Sequence, residues 1–521
     1  MNMSKRKNEL RELTIRNSKI TQLSKIKDVD ILNCLNCSFL TFISNIEGLQ
    51  ILNCENCSSL KSIPIINGLK ELNCSGCTSL TSIPNIKSLE KLNCKGCKLL
   101  TSIPNIKGLK ELNCNDCTSL TSIPNIQGLE ILICNGCKLL TSIPNIKYLK
   151  ELRCARCELL TFIPNIKGLE ILICGGCKLL TSIPYIKGLK HLDCYDCPSL
   201  TLIPNIKDLK NIFCSKCPLI DRIPYIYDLE TLYCTLCPLI TYIPRIKGLK
   251  ILDCSDCSSL TSISDIEGLE KLCCSNCNLL ESLPNIKGLK DLECEDCILL
   301  KSIPKINGLK ELKCNGCIKI TAIPNIETIE IISCNNCSSL NYIPDIKELN
   351  NLECQNCIAL NSIPNSKRLK ELICKGCTSL KSIPNIRGLR ELNCDFCTSL
   401  VSIPNIEKLE DLSCNNCTSL VSIPNNKKLE DLSCNNCRLL TFLPNFKNTD
   451  LLIINDNCPW IEPNLERMNN LIKIQKWLSK SLKRKSLEKL IPLVNLYWYS
   501  PDGPGGKAAI KRLYQQCNQC Y

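Results

Sequence analysis

Glu71–Lys87 reads ELNCSGCTSLTSIPNIK, and almost the same stretch returns every twenty residues. Sixteen residues separate Cys77 from the next pair, Cys94-x-x-Cys97. That spacing fits a zinc site built from two Cys-x-x-Cys knuckles. The pairs run from Cys34 and Cys37 to Cys434 and Cys437, twenty-one of them, without insertion or deletion. They account for all of the chain's 46 cysteines except Cys273, Cys458, Cys517 and Cys520.

One unit reads L-x-x-L-x-C-x-x-C-x-x-L-x-x-I-P-x-I-x-x, carried by Leu69, Leu72, Cys74, Cys77, Leu80, Ile83, Pro84 and Ile86. Leu72 and Cys74 alternate with polar neighbours, the pattern of a short strand with one buried face. Proline follows the apolar residue at position 84 and its equivalents, except at Ser44 and Ser264. Lacking an N–H, it belongs in a return segment rather than in a central strand. Twenty residues leave little room for a regular helix in the return, so irregular or 3-10 segments are expected there. A single unit cannot bury its apolar edge, whereas stacked units share one continuous core.

The ends of the array bear on the cysteines. Upstream, Ile15 is expected at the first cysteine position and Ser18 at the second; downstream, Ile454 and Asn457. The first position is then a core site, where Cys packs as a small hydrophobe. The second is a polar ladder site that satisfies backbone groups in a turn. The alternative is a thiol-rich protein that buffers metal or redox equivalents, because equivalent thiols stack in rows about 4.8 Å apart. Tetrahedral zinc needs sulfurs that converge at about 2.3 Å from the metal, and thiols in a row run parallel. The single histidine, His191, supplies no His-rich site.

The chain has 521 residues and a formal net charge of +14. Its charged start, MNMSKRKNELRE, is no secretory signal. No run of eighteen apolar residues marks a membrane helix. A cytoplasmic protein that is not secreted is therefore expected, carrying thiols rather than disulfides.

The repeat resembles the leucine-rich repeat, L-x-x-L-x-L-x-x-[N/C]-x-L, over roughly residues 9 to 461. Cys77-Thr78-Ser79-Leu80 is similar to its cysteine-containing class. The twenty-residue length with Ile-Pro resembles repeats of bacterial effector proteins. The Asn/Lys/Ile-rich array with NCPWI, LIKIQKW and YSPDGPGGK resembles leucine-rich repeat proteins of giant amoeba-infecting DNA viruses. These resemblances imply an α/β-type repeat solenoid with a parallel β-sheet on its concave face, made inside an infected host cell. The expected divisions are an N-terminal segment with an atypical first repeat (1–30), the array (31–450), a terminal strand (451–463) and a basic, largely helical cap (464–521). "NLERMNNLIKIQKWLSKSLKRK" has the apolar spacing of that cap helix.

The outward residues of the strands tile the candidate recognition face. Ile131, Ile133, Ile171 and Ile173 depart from the usual Asn, Ser, Glu and Lys there. Arg153, His191, Tyr195, Phe213 and Tyr233 extend the patch, and apolar surface of this kind marks partner sites. Asp291, Glu293, Glu295 and Asp296 form an acidic cluster, by composition a solvated face. Cys273 lies at an outward position beside Cys274 and is expected to be an exposed, reactive thiol. Lysines recur along the return, but interleaved Glu90, Glu130, Glu170 and Glu230, with no accompanying aromatic register, argue against nucleic acid. One His and repeated surface residues assemble no Ser/His/Asp set, carboxylate cleft or phosphate loop. The expectation is a monomeric, non-enzymatic scaffold that binds a protein, with no cofactor, metal site or membrane contact.

Overall fold

The computed structural model describes residues 10–24 and 26–440 and the strand Leu452–Ile454. The repeat appears as a run of three-residue strands, one per twenty residues, such as Glu71–Asn73, Lys91–Asn93 and Glu111–Asn113. Each pairs in parallel with the strand of the following repeat, Leu72 opposite Leu92 and Leu92 opposite Leu112. The register step is the repeat length itself, so equivalent residues stack in columns.

The chain forms two compact units, one up to Gly268 and one from Leu269, and the division between them falls inside the array expected over 31–450. The first unit's sheet runs from the five-residue strands Glu12–Arg16 and Ile31–Leu35 to Ile251–Asp253. The second runs from Lys271–Cys273 to Asp431–Ser433 and Leu452–Ile454. Behind each sheet the described repeats bury equivalent positions, with polar Ser366 and Asn426 in place of one isoleucine; in one repeat Leu69, Leu72, Cys74, Cys77, Leu80, Ile83 and Ile86 are all at most 6% exposed. This is the shared core that the periodicity predicts.

The two end turns differ in length. Glu12 faces Ile31, one residue short of the repeat, which places Ile15 opposite Cys34 as the sequence suggests. At the other end Asp431 faces Leu452, one residue long, so Ile453 lies opposite Leu432 and Ile454 opposite Ser433. The expected match of Ile454 to the first cysteine is thus corrected by one residue, because the pairing step of the last turn is one residue longer than the repeat.

The returns are irregular, with single turns closed by bonds such as Leu80 N to Cys77 O (3.0 Å) and Leu89 N to Ile86 O (3.1 Å). Among the described residues there is no α-helix and no run of 3-10 helix. A second, outer pairing appears where proline is missing. Gln22–Leu23 pairs with Phe42–Ile43, and Tyr242–Ile243 with Ser262–Ile263. There Ser44 and Ser264 stand in the proline position, and their N–H groups donate to Leu23 O (2.9 Å) and Ile243 O (3.0 Å). Proline has no such donor, so other repeats go no further than isolated bridges such as Ser102 with Ser122. The expected C-terminal cap (464–521) and Cys458, Cys517 and Cys520 lie outside the described residues.

Candidate functional site

The Cys-x-x-Cys segment is a tight turn leaving the strand. Its third residue adopts a left-handed backbone, φ 58° at Asn56, 71° at Gly76 and 57° at Asp116. This accounts for the Gly, Asn and Asp between the cysteines, a signal that the reading of the repeat passed over. The first cysteine's N–H joins the sheet, Cys74 N to Asn93 O at 2.8 Å. The second cysteine's thiol reaches back one turn to the first cysteine's carbonyl. Cys57 donates to Cys34 O (3.0 Å), Cys77 to Cys54 O (3.1 Å) and Cys97 to Cys74 O (3.2 Å). The second row is a regular ladder of S–H donors to backbone carbonyls, as Ser18 suggested; the first is buried beside it, and Cys54 and Cys334 there also reach a carbonyl of the next strand, Asn73 O at 3.3 Å and Glu353 O at 3.4 Å.

Among the described residues there is no disulfide. No group of three His, Cys, Asp or Glu side chains among them converges as metal ligands would. Burial pushes the Cys57 thiol up to about 12. The Cys77 hydrogen bond, with burial, drives Cys54 well above the ordinary thiol range. The same hydrogen bond acts the other way on Cys77, lowering its thiol against the effect of burial.

On the sheet's open face, the first unit gathers the expected patch. Ile131, Glu151, Ile171 and His191 stack in one column, and Ile133, Arg153, Ile173, Asp193, Phe213 and Tyr233 in the next. Phe213 and Tyr233 face each other across adjacent strands with their rings stacked, centroids 5.1 Å apart at 9°. His191 lies diagonally beside Phe213 at 5.3 Å. Burial lowers the pKa of His191, Asp193 opposes this and Arg153 adds to it. Arg153 hydrogen-bonds Glu151. Neighbouring columns shield one another, so these side chains are half-buried. Tyr195, in the turn beyond its strand, is 43% exposed with Lys216 Nζ 5.1 Å from its ring centre.

Two expectations in the second unit change. Cys273 is not an exposed thiol: it is 7% exposed, and its Sγ donates to Glu293 Oε2 at 3.3 Å. Its short side chain lies below the longer side chains of the open face, and Glu293 folds over it. Glu293 also meets Lys313 (3.1 Å) and Lys271 (3.4 Å). Burial works against its charge, yet the Lys313 and Cys273 hydrogen bonds and Lys271 hold it below the usual carboxylate range. The acidic cluster is therefore partly neutralised by its own sheet. A feature not anticipated is a shallow groove of about 230 Å³ farther along, lined by Glu391, Asp411, Asp431, Ser413 and Ser433 among others.

Solved structures similar to this chain include leucine-rich repeat proteins. One from Bacteroides ovatus is 16% identical, covering 76% of this chain and 83% of its own with a TM-score of 0.21. A leucine-rich cell surface protein from Faecalibacterium prausnitzii is 17% identical, covering 81% and 92%, again at 0.21. YopM from Yersinia enterocolitica is 19% identical, covering 77% and 85%, at 0.49. No family model and no curated protein matches the chain. The assignment to a leucine-rich-repeat-like solenoid with a parallel sheet rests on the repeat pattern and on the twenty-residue register. No helix among the described residues is long and apolar enough to cross a membrane.

Proposed function

We propose that the chain is a non-enzymatic scaffold that binds a protein partner on the open face of the first unit's sheet, the face a leucine-rich repeat makes concave. The observation that carries this reading is the Phe213–Tyr233 stack with His191 at its edge, half-buried and continuous with Ile171 and Ile173. Aromatic side chains of this kind dominate binding energy when a partner covers them. The resemblance to repeat proteins of giant amoeba-infecting viruses makes a host protein the partner class. The buried, carbonyl-bonded thiols are assigned to packing rather than to metal or redox buffering.

The test is capture from host extract by the full chain, with the retained protein identified and its affinity then measured directly. Changing Tyr195, Phe213 and Tyr233 to Ala together is expected to weaken that affinity by about 30-fold or more, as loss of a hot spot of about 2 kcal/mol does, with circular dichroism unchanged. Unchanged affinity would remove the patch from the function. Stoichiometric zinc or copper on protein purified without oxygen would instead restore the metal reading.

A further inference from the structure

The lysines of the returns form two columns, which the structure separates. One immediately precedes the sheet strands, and here lysine and glutamate alternate and pair. Lys110 reaches Glu90 at 3.5 Å, Lys150 reaches Glu130 at 2.8 Å, Lys190 reaches Glu170 at 2.7 Å and Lys210 reaches Glu230 at 3.5 Å. The glutamates that argue in the sequence against a polyanion partner are thus spent on this column. The other lies three residues earlier in each repeat. Lys147, Lys167, Lys187 and Lys207 occupy it on four successive turns, and Lys247 returns to it after Tyr227. All are exposed, and among the described residues none of the five is in an ion pair.

Aromatic side chains accompany this second column. Tyr148 is 60% exposed, Tyr185 53%, Tyr225 44% and Tyr227 52%. Tyr225 and Tyr227 meet edge to face at 5.1 Å, and Lys147 Nζ lies 4.8 Å from the Tyr148 ring centre. Tyr148 also holds a left-handed backbone, φ 78°, where neighbouring turns place Gly128, Gly168 and Gly188. A bulky residue kept in that conformation bears a local cost. The carboxylates beside the stripe are Asp208, which accepts the Gly188 N–H at 3.3 Å, Asp228, and at its far end Glu267, which Arg245 meets at 3.5 Å.

We propose that this lysine–tyrosine stripe on the first unit binds single-stranded nucleic acid. The unpaired ammonium groups track a phosphate backbone, and the exposed rings give the bases surfaces on which to stack. A basic column without rings would suit any polyanion equally; the four tyrosines favour unpaired bases over duplex, anionic lipid or acidic protein. Recognition of this kind tolerates many sequences.

The experiment is fluorescence anisotropy of the full chain with labelled twenty-nucleotide oligo-dT and oligo-U, beside a duplex of equal length and vesicles containing phosphatidylserine. Single strands should bind best, with log affinity falling against log salt at a slope of about −3, as expected for some four phosphate contacts. Lys167→Glu, Lys187→Glu and Lys207→Glu combined should weaken binding at least 30-fold. The same charge change in the paired column, Lys110→Glu, Lys150→Glu and Lys190→Glu, should weaken it less than 5-fold. Tyr185→Ala, Tyr225→Ala and Tyr227→Ala combined should cost about 10-fold or more while leaving the slope unchanged. Alanine at Tyr195, Phe213 and Tyr233 should leave oligonucleotide binding intact, which separates this site from the open-face patch. Equal loss in both lysine triples, indifference to the tyrosines, preference for duplex, binding to vesicles alone or no binding at low salt would each overturn the proposal.

Discussion

At the scale of the residue, two cysteines with equal burial have opposite requirements. Cys74 fills core space, whereas Cys77 also supplies a donor to the Cys54 carbonyl. Cys77→Ser keeps that donor, so it should be more stable than Cys77→Val by about 1 kcal/mol. At the first position the order should invert, with Cys74→Val above Cys74→Ser by about 1–2 kcal/mol, because burying a hydroxyl in that column costs more than burying a methyl group. Urea midpoints of the four variants check both rankings, and the same order at both positions would end the distinction. Tyr148 offers a different test. Glycine relieves its φ of 78°, so Tyr148→Gly should stabilise the protein by about 1 kcal/mol in thermal unfolding while weakening oligonucleotide binding.

At the scale of the element, proline controls how much sheet each turn makes. Ser264→Pro should remove the bond to Ile243 O and with it the outer strand pair, at a cost of about 1 kcal/mol. Hydrogen exchange should then accelerate around residues 262–264 while the strand Ile251–Asp253 stays protected. The last turns of the second unit carry a second element-scale effect. Glu371 faces Glu391, and Asp411 faces Asp431, on adjacent parallel strands. Burial, then the charge of Asp431, raises the pKa of Asp411 in the folded chain. A carboxyl with a raised folded pKa costs stability while charged, and the cost vanishes as pH falls through that pKa. Asp411→Asn should therefore be more stable than the parent at pH 7. The gap should close as pH falls and be gone below the ordinary value of 3.8, as read from urea midpoints. A gap independent of pH would remove the electrostatic explanation.

At the scale of the whole molecule, core contacts are made between neighbouring turns, so stability is a sum of local terms. Each unit buries its thiols within its own stack. In native protein the described cysteines should resist a thiol reagent, and in denaturant all 46 should react. Rapid native reaction of Cys273 would contradict its burial beneath Glu293. A charge placed in one turn, as in Cys414→Asp, should open exchange in the neighbouring strands Glu391–Asn393 and Asp431–Ser433 and leave Lys91–Asn93 protected. Uniform loss of protection would mean that the array unfolds as one body.

The repeat alone determined the parallel strands, the core columns and the packing role of the first cysteine, because an unbroken twenty-residue period forces equivalent residues into register. It also placed Ile131, Ile133, Ile171, Ile173, Phe213 and Tyr233 on the open face, since alternation in a short strand assigns each residue to a face. Only the tertiary structure decided what lies beside what. It showed that the last turn is one residue longer, which displaces Ile454 from the cysteine column. It buried Cys273 beneath a side chain twenty residues away. It sorted lysines that look alike in the sequence into a neutralised column and a bare one lined with tyrosines. In each case the deciding partner sits on an adjacent turn, and a column is formed by stacking rather than by proximity along the chain.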